Sequence, residues 1–169
     1  MVVQSSLPGE GSRTAAYVQW RIRALASRIP WHGSALEPLI ERAHAIEHGP
    51  LEGTALFRRG RLHELRGEFA AAEADLLRAH ALAVEHDYPK LVEQAASQLA
   101  FLVGHRLARP EEGLRWANAG VVEAQRIAEG GVLEADARES LAVVLHMLGR
   151  YDEAVTEQRR ALELLERAS

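Results

Sequence analysis

Three short stretches of this chain carry one pattern at one interval. Gly67-Glu-Phe69-Ala-Ala-Ala72 is followed by Ala79, Ala108-Arg-Pro110-Glu-Glu-Gly113 by Gly120, and Gly149-Arg-Tyr151-Asp-Glu-Ala154 by Ala161. Positions 72, 113 and 154 are 41 residues apart, and so are positions 79, 120 and 161. A fixed period of this size means that one supersecondary unit is built again and again, each copy covering the apolar face of its neighbour. Small residues seven apart lie on nearly one face of a helix, two turns apart, and let a second helix come close. Each pair is preceded by a helical stretch with its own small residue, Gly60, Ala100 and Ala142. Gly67 and Gly149 stand where that earlier helix must end, as left-handed stop residues. The unit is therefore helix, tight turn, antiparallel helix.

The spacing predicts helices over 52–66 and 69–86, then 89–105 and 110–128, then 132–148 and 151–167. Asp87-Tyr88-Pro89 stops one helix and opens the next, since proline suits a first helical turn. Gly130-Gly131 breaks another. The middle unit departs from its neighbours. Pro110 replaces the aromatic residue, Gly113 and Gly120 replace alanines, Ala108 replaces the turn glycine, and its first helix carries one extra residue, because Ala100 and not Phe101 is the small one. Upstream, 13–50 reads as one more helix pair, over 13–29 and 35–48, with Ser34 as a cap and Trp20, Leu25 and Trp31 covering the end of the stack. Residues 1–12 read as a flexible leader.

A small residue in the first helix, glycine and an aromatic at the turn, and two small residues in the second helix resemble the tetratricopeptide repeat over roughly residues 53–167. The resemblance implies an all-α fold: a right-handed α-solenoid of antiparallel helix hairpins, about eight helices in all. The period is longer than usual for such repeats, so the helices should be about one turn longer. Gln98–Ala117, together with Gly60-Arg61 and Leu148-Gly-Arg-Tyr151-Asp-Glu-Ala154, is similar to the repeat region that follows the kinase domain in certain bacterial serine/threonine protein kinases. This implies a regulatory or docking region of a signalling protein. Kinase activity does not come with it: Leu107 stands in His105-Arg106-Leu107 where a catalytic loop needs aspartate, and there is no Asp-Phe-Gly.

Composition narrows the function further. The formal net charge is −4, without the basic surplus that a nucleic-acid binder carries. There is no cysteine, which excludes disulfides and thiol chemistry and fits a cytoplasmic setting. No apolar run reaches the length of a membrane span. His63-Glu64-Leu-Arg-Gly67 begins like a zinc-protease motif but has glycine where the second histidine belongs. His44 and His48, four apart, read as a solvated helix end near Gly49-Pro50 rather than a metal site. Glu111-Glu112, Glu93, Glu123 and Glu139 read as helix-start charges and solvated faces. Neither a cofactor, nor a metal site, nor an enzymatic site is expected.

In a stack of such hairpins the first helices line the concave groove. The helical spacing puts Thr54, Phe57, Arg61 and Glu64 of the first unit on that face, Gln94, Gln98, Phe101 and His105 of the second, and Asp136, Glu139, Val143 and His146 of the third. Each set joins an apolar anchor to polar groups, which suits an extended peptide or a helix of a protein partner. The competing expectation is a peptide or small-ligand sensor with an enclosed cavity. Val155, Leu162 and Leu165 with no capping helix after them suggest a piece of a longer protein, or self-association through the last helix.

Overall fold

A computed structural model describes residues 36–128 and 130–168. The leader over 1–12, the helix over 13–29, and Trp20, Leu25, Trp31 and Ser34 lie outside these residues. Among the described residues every regular element is helical: α1 (Glu37–Ala45), α2 (Gly49–Leu65), α3 (Phe69–Glu85), α4 (Pro89–Phe101) continuing as one π-helical turn (Leu102–Arg106), α5 (Pro110–Ala128), α6 (Val132–Met147) and α7 (Tyr151–Arg167).

Each helix from α1 to α6 ends by the same device. Glu47, Gly67, Asp87, Ala108, Gly130 and Gly149 have positive φ, between 46° and 79°. At four of these stops the next N–H reaches back five residues, as in Glu68 to His63 O at 2.8 Å and Arg150 to Leu145 O at 3.0 Å. That bond satisfies a carbonyl which the helix end would otherwise leave free. Glycine takes this conformation without strain, whereas Glu47, Asp87 and Ala108 take it at some cost. Proline stands in the first turn of α2, α4 and α5, where no amide hydrogen is needed.

Two boundaries differ from the sequence expectation. The helix expected over 52–66 begins at Gly49, so Gly49-Pro50 opens a helix and ends none. His48 is consequently outside α1 and caps α2, its Nδ1 accepting from the Leu51 N–H at 3.4 Å. The expected helix over 35–48 is the shorter α1. The extra residue of the middle unit lies between Ala100 and Ala108 and is absorbed by the π-helical turn, in which the Leu107 N–H donates to Leu102 O at 2.9 Å. A π turn is how a helix takes in one additional residue without losing its axis. The stop that follows is longer by one as well, with Arg109 N–H reaching Val103 O.

Consecutive helices pack on one another throughout, and α2 also touches α4, as α4 touches α6. The largest cluster joins Leu76, Leu82, Leu91, Leu99, Leu102 and Val103 across α3, α4 and the π turn; a second joins Val121, Leu141, Val144 and Leu145 across α5 and α6. Ala72, Ala79, Ala117, Ala124, Ala154 and Ala161 are all buried at the crossings. The closest approach is in the middle hairpin: a Cβ on Gly113 would stand 2.5 Å from the Gly104 Cα. An ionic clamp ties the first helices together, with the Arg59 guanidinium gripping both oxygens of buried Asp75 at 2.7 Å and also bonding Glu37. The hydrogen bonds that Arg59 donates to Asp75 raise its pKa against the effect of burial. No helix among the described residues is long and apolar enough to cross a membrane.

Candidate functional site

One open depression of about 540 Å³ runs across α2, α4 and α6. Alternate helices meet there because α3 and α5 take up the other layer. Nine of the residues expected to line a groove border it: Phe57, Arg61, Glu64, Gln94, Gln98, Phe101, Asp136, Glu139 and Val143. His105 and His146 border a neighbouring depression of about 390 Å³ together with Val143, Tyr151 and Val155. Thr54 joins neither; its hydroxyl donates to Pro50 O at 2.7 Å within its own helix.

The two aromatic residues differ. Phe57 is only 6 % exposed and belongs to the main core cluster, so only its edge reaches the depression. Phe101 is half-buried, stacked on the His105 ring at 5.0 Å, with the Arg106 guanidinium 5.3 Å above its centroid. Between them Gln98 donates through Nε2 to Glu64 and so ties the α2 wall to the α4 floor. Burial raises the Glu64 pKa, while Arg61, Arg106 and the Gln98 bond hold it down. Tyr151, the aromatic residue at the turn of the third unit, is exposed and meets His146 edge-on at 5.2 Å.

Glu93 corrects the reading of this residue as a solvated charge. It is 2 % exposed, on the floor of the depression. Its Oε1 accepts from the Ser97 hydroxyl at 2.9 Å. Burial pushes its carboxyl up to about 7, Asp136 and Glu123 push the same way, and the Ser97 bond and Lys90 oppose them. Sequence inspection had a signal for this residue: Glu52, Glu93 and Glu134 are 41 apart, and all three are buried. Glu123 and Glu112 are half-buried and bound to arginines, while Glu111 and Glu139 are exposed as expected.

The lining is mixed in charge. Arg58, Arg61 and Glu64 border the α2 side, and Glu93, Asp136 and Glu139 the α4 and α6 side. Leu133, Val143 and Phe101 supply apolar surface. Such an arrangement can hold a segment with backbone amides against Gln94 and Gln98 and side chains against the apolar patches. Among the described residues no three histidine, aspartate or glutamate side chains come together as a metal site would need. The pair His44 and His48 is split between two elements, and His44 Nδ1 faces Glu52 Oε2 at 3.0 Å instead. No protein-family model matches the chain, and no curated protein matches it in sequence.

Proposed function

We propose that this chain is a protein-interaction module of the tetratricopeptide type, a right-handed α-solenoid that holds a peptide or helix of a protein partner along α2, α4 and α6. The observation that carries this reading is one open depression to which one helix of each described hairpin contributes, with fifteen residues of mixed character along it. Its openness supports an elongated macromolecular segment over a small ligand sealed in a cavity. We assign no enzymatic role because His63-Glu64-Leu-Arg-Gly67 and His105-Arg106-Leu107 each lack a residue that their chemistry needs. We infer a regulatory or docking region of a bacterial, cytoplasmic signalling protein, from the similarity of the middle segment to repeats that follow kinase domains. Self-association through α7, where Val155 and Leu162 are 45 % and 57 % exposed, belongs to the same reading.

Photo-crosslinking tests it. A benzoylphenylalanine placed at Gln94 or Val143 labels the partner, and one at Arg115, exposed on α5, does not. Equal labelling from both faces would overturn the groove assignment. Phe101→Ala and Phe57→Ala separate binding from folding. Phe101→Ala weakens capture and costs about 1 kcal/mol of stability, whereas Phe57→Ala costs about 3–5 kcal/mol, as for a core aromatic. Urea unfolding alongside the capture assay reads both; an equal loss of stability in the two variants would make Phe101 a core residue too.

A further inference from the structure

The first helix of every hairpin carries a buried glutamate at one register, Glu52, Glu93 and Glu134, exposed by 8 %, 2 % and 3 %. Two of the three are paired. Glu52 meets His44 Nδ1 at 3.0 Å and Arg78 Nη2 at 3.9 Å. Glu134 accepts from the Gln125 amide, the Gly130 N–H and the Arg138 guanidinium, all within 2.9 Å. Glu93 has the Ser97 hydroxyl on one oxygen; the other accepts no hydrogen bond from the described residues, and none of their cationic nitrogens comes within 4.0 Å. Register explains the difference. One period on from Arg78 stands Ala119, one period back from Arg138 stands Ser97, and the places of His44 and Gln125 are taken by Glu85 and Val84. Every position that supplies a donor to its counterparts is empty of one here, apart from the weak hydroxyl.

The groups that face Glu93 make matters worse for its charge. Glu123 on α5 and Asp136 on α6 are both acidic, and among the described residues the Lys90 ammonium on its own helix is the one cation acting on it. A buried carboxylate without a counterion is expensive to keep. This one is also placed where something from outside can reach it: Glu93, Ser97 and Asp136 all line the open depression.

Taking the groove as the binding face, as proposed above, we propose that Glu93 is a recognition carboxylate and that the bound segment carries an arginine or lysine whose cation sits between Glu93 and Asp136. Neighbouring apolar side chains of the segment then lie against Phe101 and Val143. Arg58 and Arg61 on the α2 side disfavour the same cation there, which leaves the α4 and α6 side as its place. A guanidinium fits best, because its planar fork can serve a carboxylate with two parallel bonds.

Three nonapeptide libraries test this, each degenerate at eight positions and fixed at the centre as arginine, as citrulline, its neutral isostere, or as glutamate. Immobilised full-length chain retains the arginine library about tenfold over the citrulline library, the factor expected for charge-assisted hydrogen bonds to one carboxylate. Glu93→Gln abolishes that preference while its helical circular dichroism is unchanged. Asp136→Asn, at an exposed position, reduces it and serves as the second arm should the buried substitution disturb folding. Retention of the citrulline or glutamate library as strongly as the arginine one overturns the cation assignment and leaves the groove reading standing, and so does a preference that survives both substitutions. Retention of none of the three libraries overturns the groove reading together with it.

Discussion

The middle hairpin, α4 with α5, and the outer hairpins, α2 with α3 and α6 with α7, are built on one plan and solve it differently. In the outer two, a glycine stop of seven residues after the small crossing residue (Gly60 to Gly67, Ala142 to Gly149) turns the chain cleanly. In the middle one the same interval is a residue longer, from Ala100 to Ala108, and the surplus becomes a π turn. That turn brings Gly104 against Gly113 so closely that no side chain fits between the backbones. Alanine at the matching positions, Ala72 and Ala154, is tolerated because no such turn pushes toward them. The period is thus preserved at the level of helix placement, while residue types change to absorb the insertion. The middle hairpin also holds the one glutamate of the periodic set that has no counterion among the described residues. The places where the repeat departs from its own rule are therefore where binding chemistry can be installed, since departures are otherwise only a loss of stability.

The largest contrast to measure is between Glu93 and Glu134. Glu93 has a folded pKa of about 7, above the ordinary 4.5. An acid shifted upward is held more tightly as its neutral form in the folded state. Its contribution to stability is therefore full below pH 4.5 and is lost as pH rises through 7, by up to about 3 kcal/mol in all. Glu93→Gln removes that fall, so the variant is more stable than the parent at pH 8 and nearly equal to it at pH 4. Glu134 behaves oppositely. Burial raises its pKa, but the Gly130 N–H, Gln125 and Arg138 outweigh this and bring it below its ordinary value. Glu134→Gln strips Arg138 of one partner and costs about 3 kcal/mol at neutral pH, the low end for a broken buried pair because Arg138 keeps Glu157. Urea midpoints at pH 4, 6 and 8 for the two variants decide it. Parallel loss of stability in both would show that Glu93 is as well paired as Glu134.

A smaller effect separates the crossings. Gly113→Ala puts a Cβ within 3.0 Å of three backbone atoms, Gly104 Cα and N and Ala100 O. The overpacking belongs at the top of the usual range, about 3 kcal/mol, and helix propensity returns about 1, leaving a net loss of about 2 kcal/mol. Gly60→Ala in the first hairpin meets the Leu76 side chain at 3.1 Å and Ala72 O at 3.2 Å, contacts that small shifts relieve. It is expected within about 0.5 kcal/mol of the parent, because propensity and crowding offset each other. Equal thermal shifts for the two variants would show that the π turn has not tightened the middle crossing.

Much of this contrast can be read in the sequence, and what cannot has a physical reason. The period, the glycine stops and the face that lines the depression all follow from spacing, because helical geometry converts spacing into direction. The extra residue was visible as the shift from Phe101 to Ala100; its form as a π turn was not, since a bulge, a longer loop and a register slip all give the same count. In sequence a helix end falls near Gly49-Pro50, although Pro89 and Pro110 open helices in the same chain. The buried glutamates were visible as 52, 93 and 134, but a carboxylate near a helix start is usually solvated. Only the packing of a neighbouring helix over that face tells the two cases apart. Phe57 and Phe101 occupy equivalent faces; the depth of burial that separates them depends on which helices close over each.

The smallest effect isolates the turn itself. Ala108 is exposed, with φ of 53°, at the position held by Gly67 and Gly149 in the outer hairpins. Neither of those glycines has an atom within 4 Å of where a Cβ would stand, so their role is conformational and not one of space. A left-handed alanine costs about 1–2 kcal/mol in the folded state, and glycine returns part of that through the greater freedom of its unfolded chain. Ala108→Gly is expected to gain about 0.5 kcal/mol, a rise of about 1–2 °C in Tm for a domain of this size. Gly67→Ala and Gly149→Ala are expected to lose about 1 kcal/mol each by the same reasoning in reverse. A calorimetric scan of the three variants reads the differences directly. Should Ala108→Gly lower the Tm, the π turn before it would be the element that holds residue 108 left-handed without strain, and the middle stop would differ from the outer two in mechanism as well as in length.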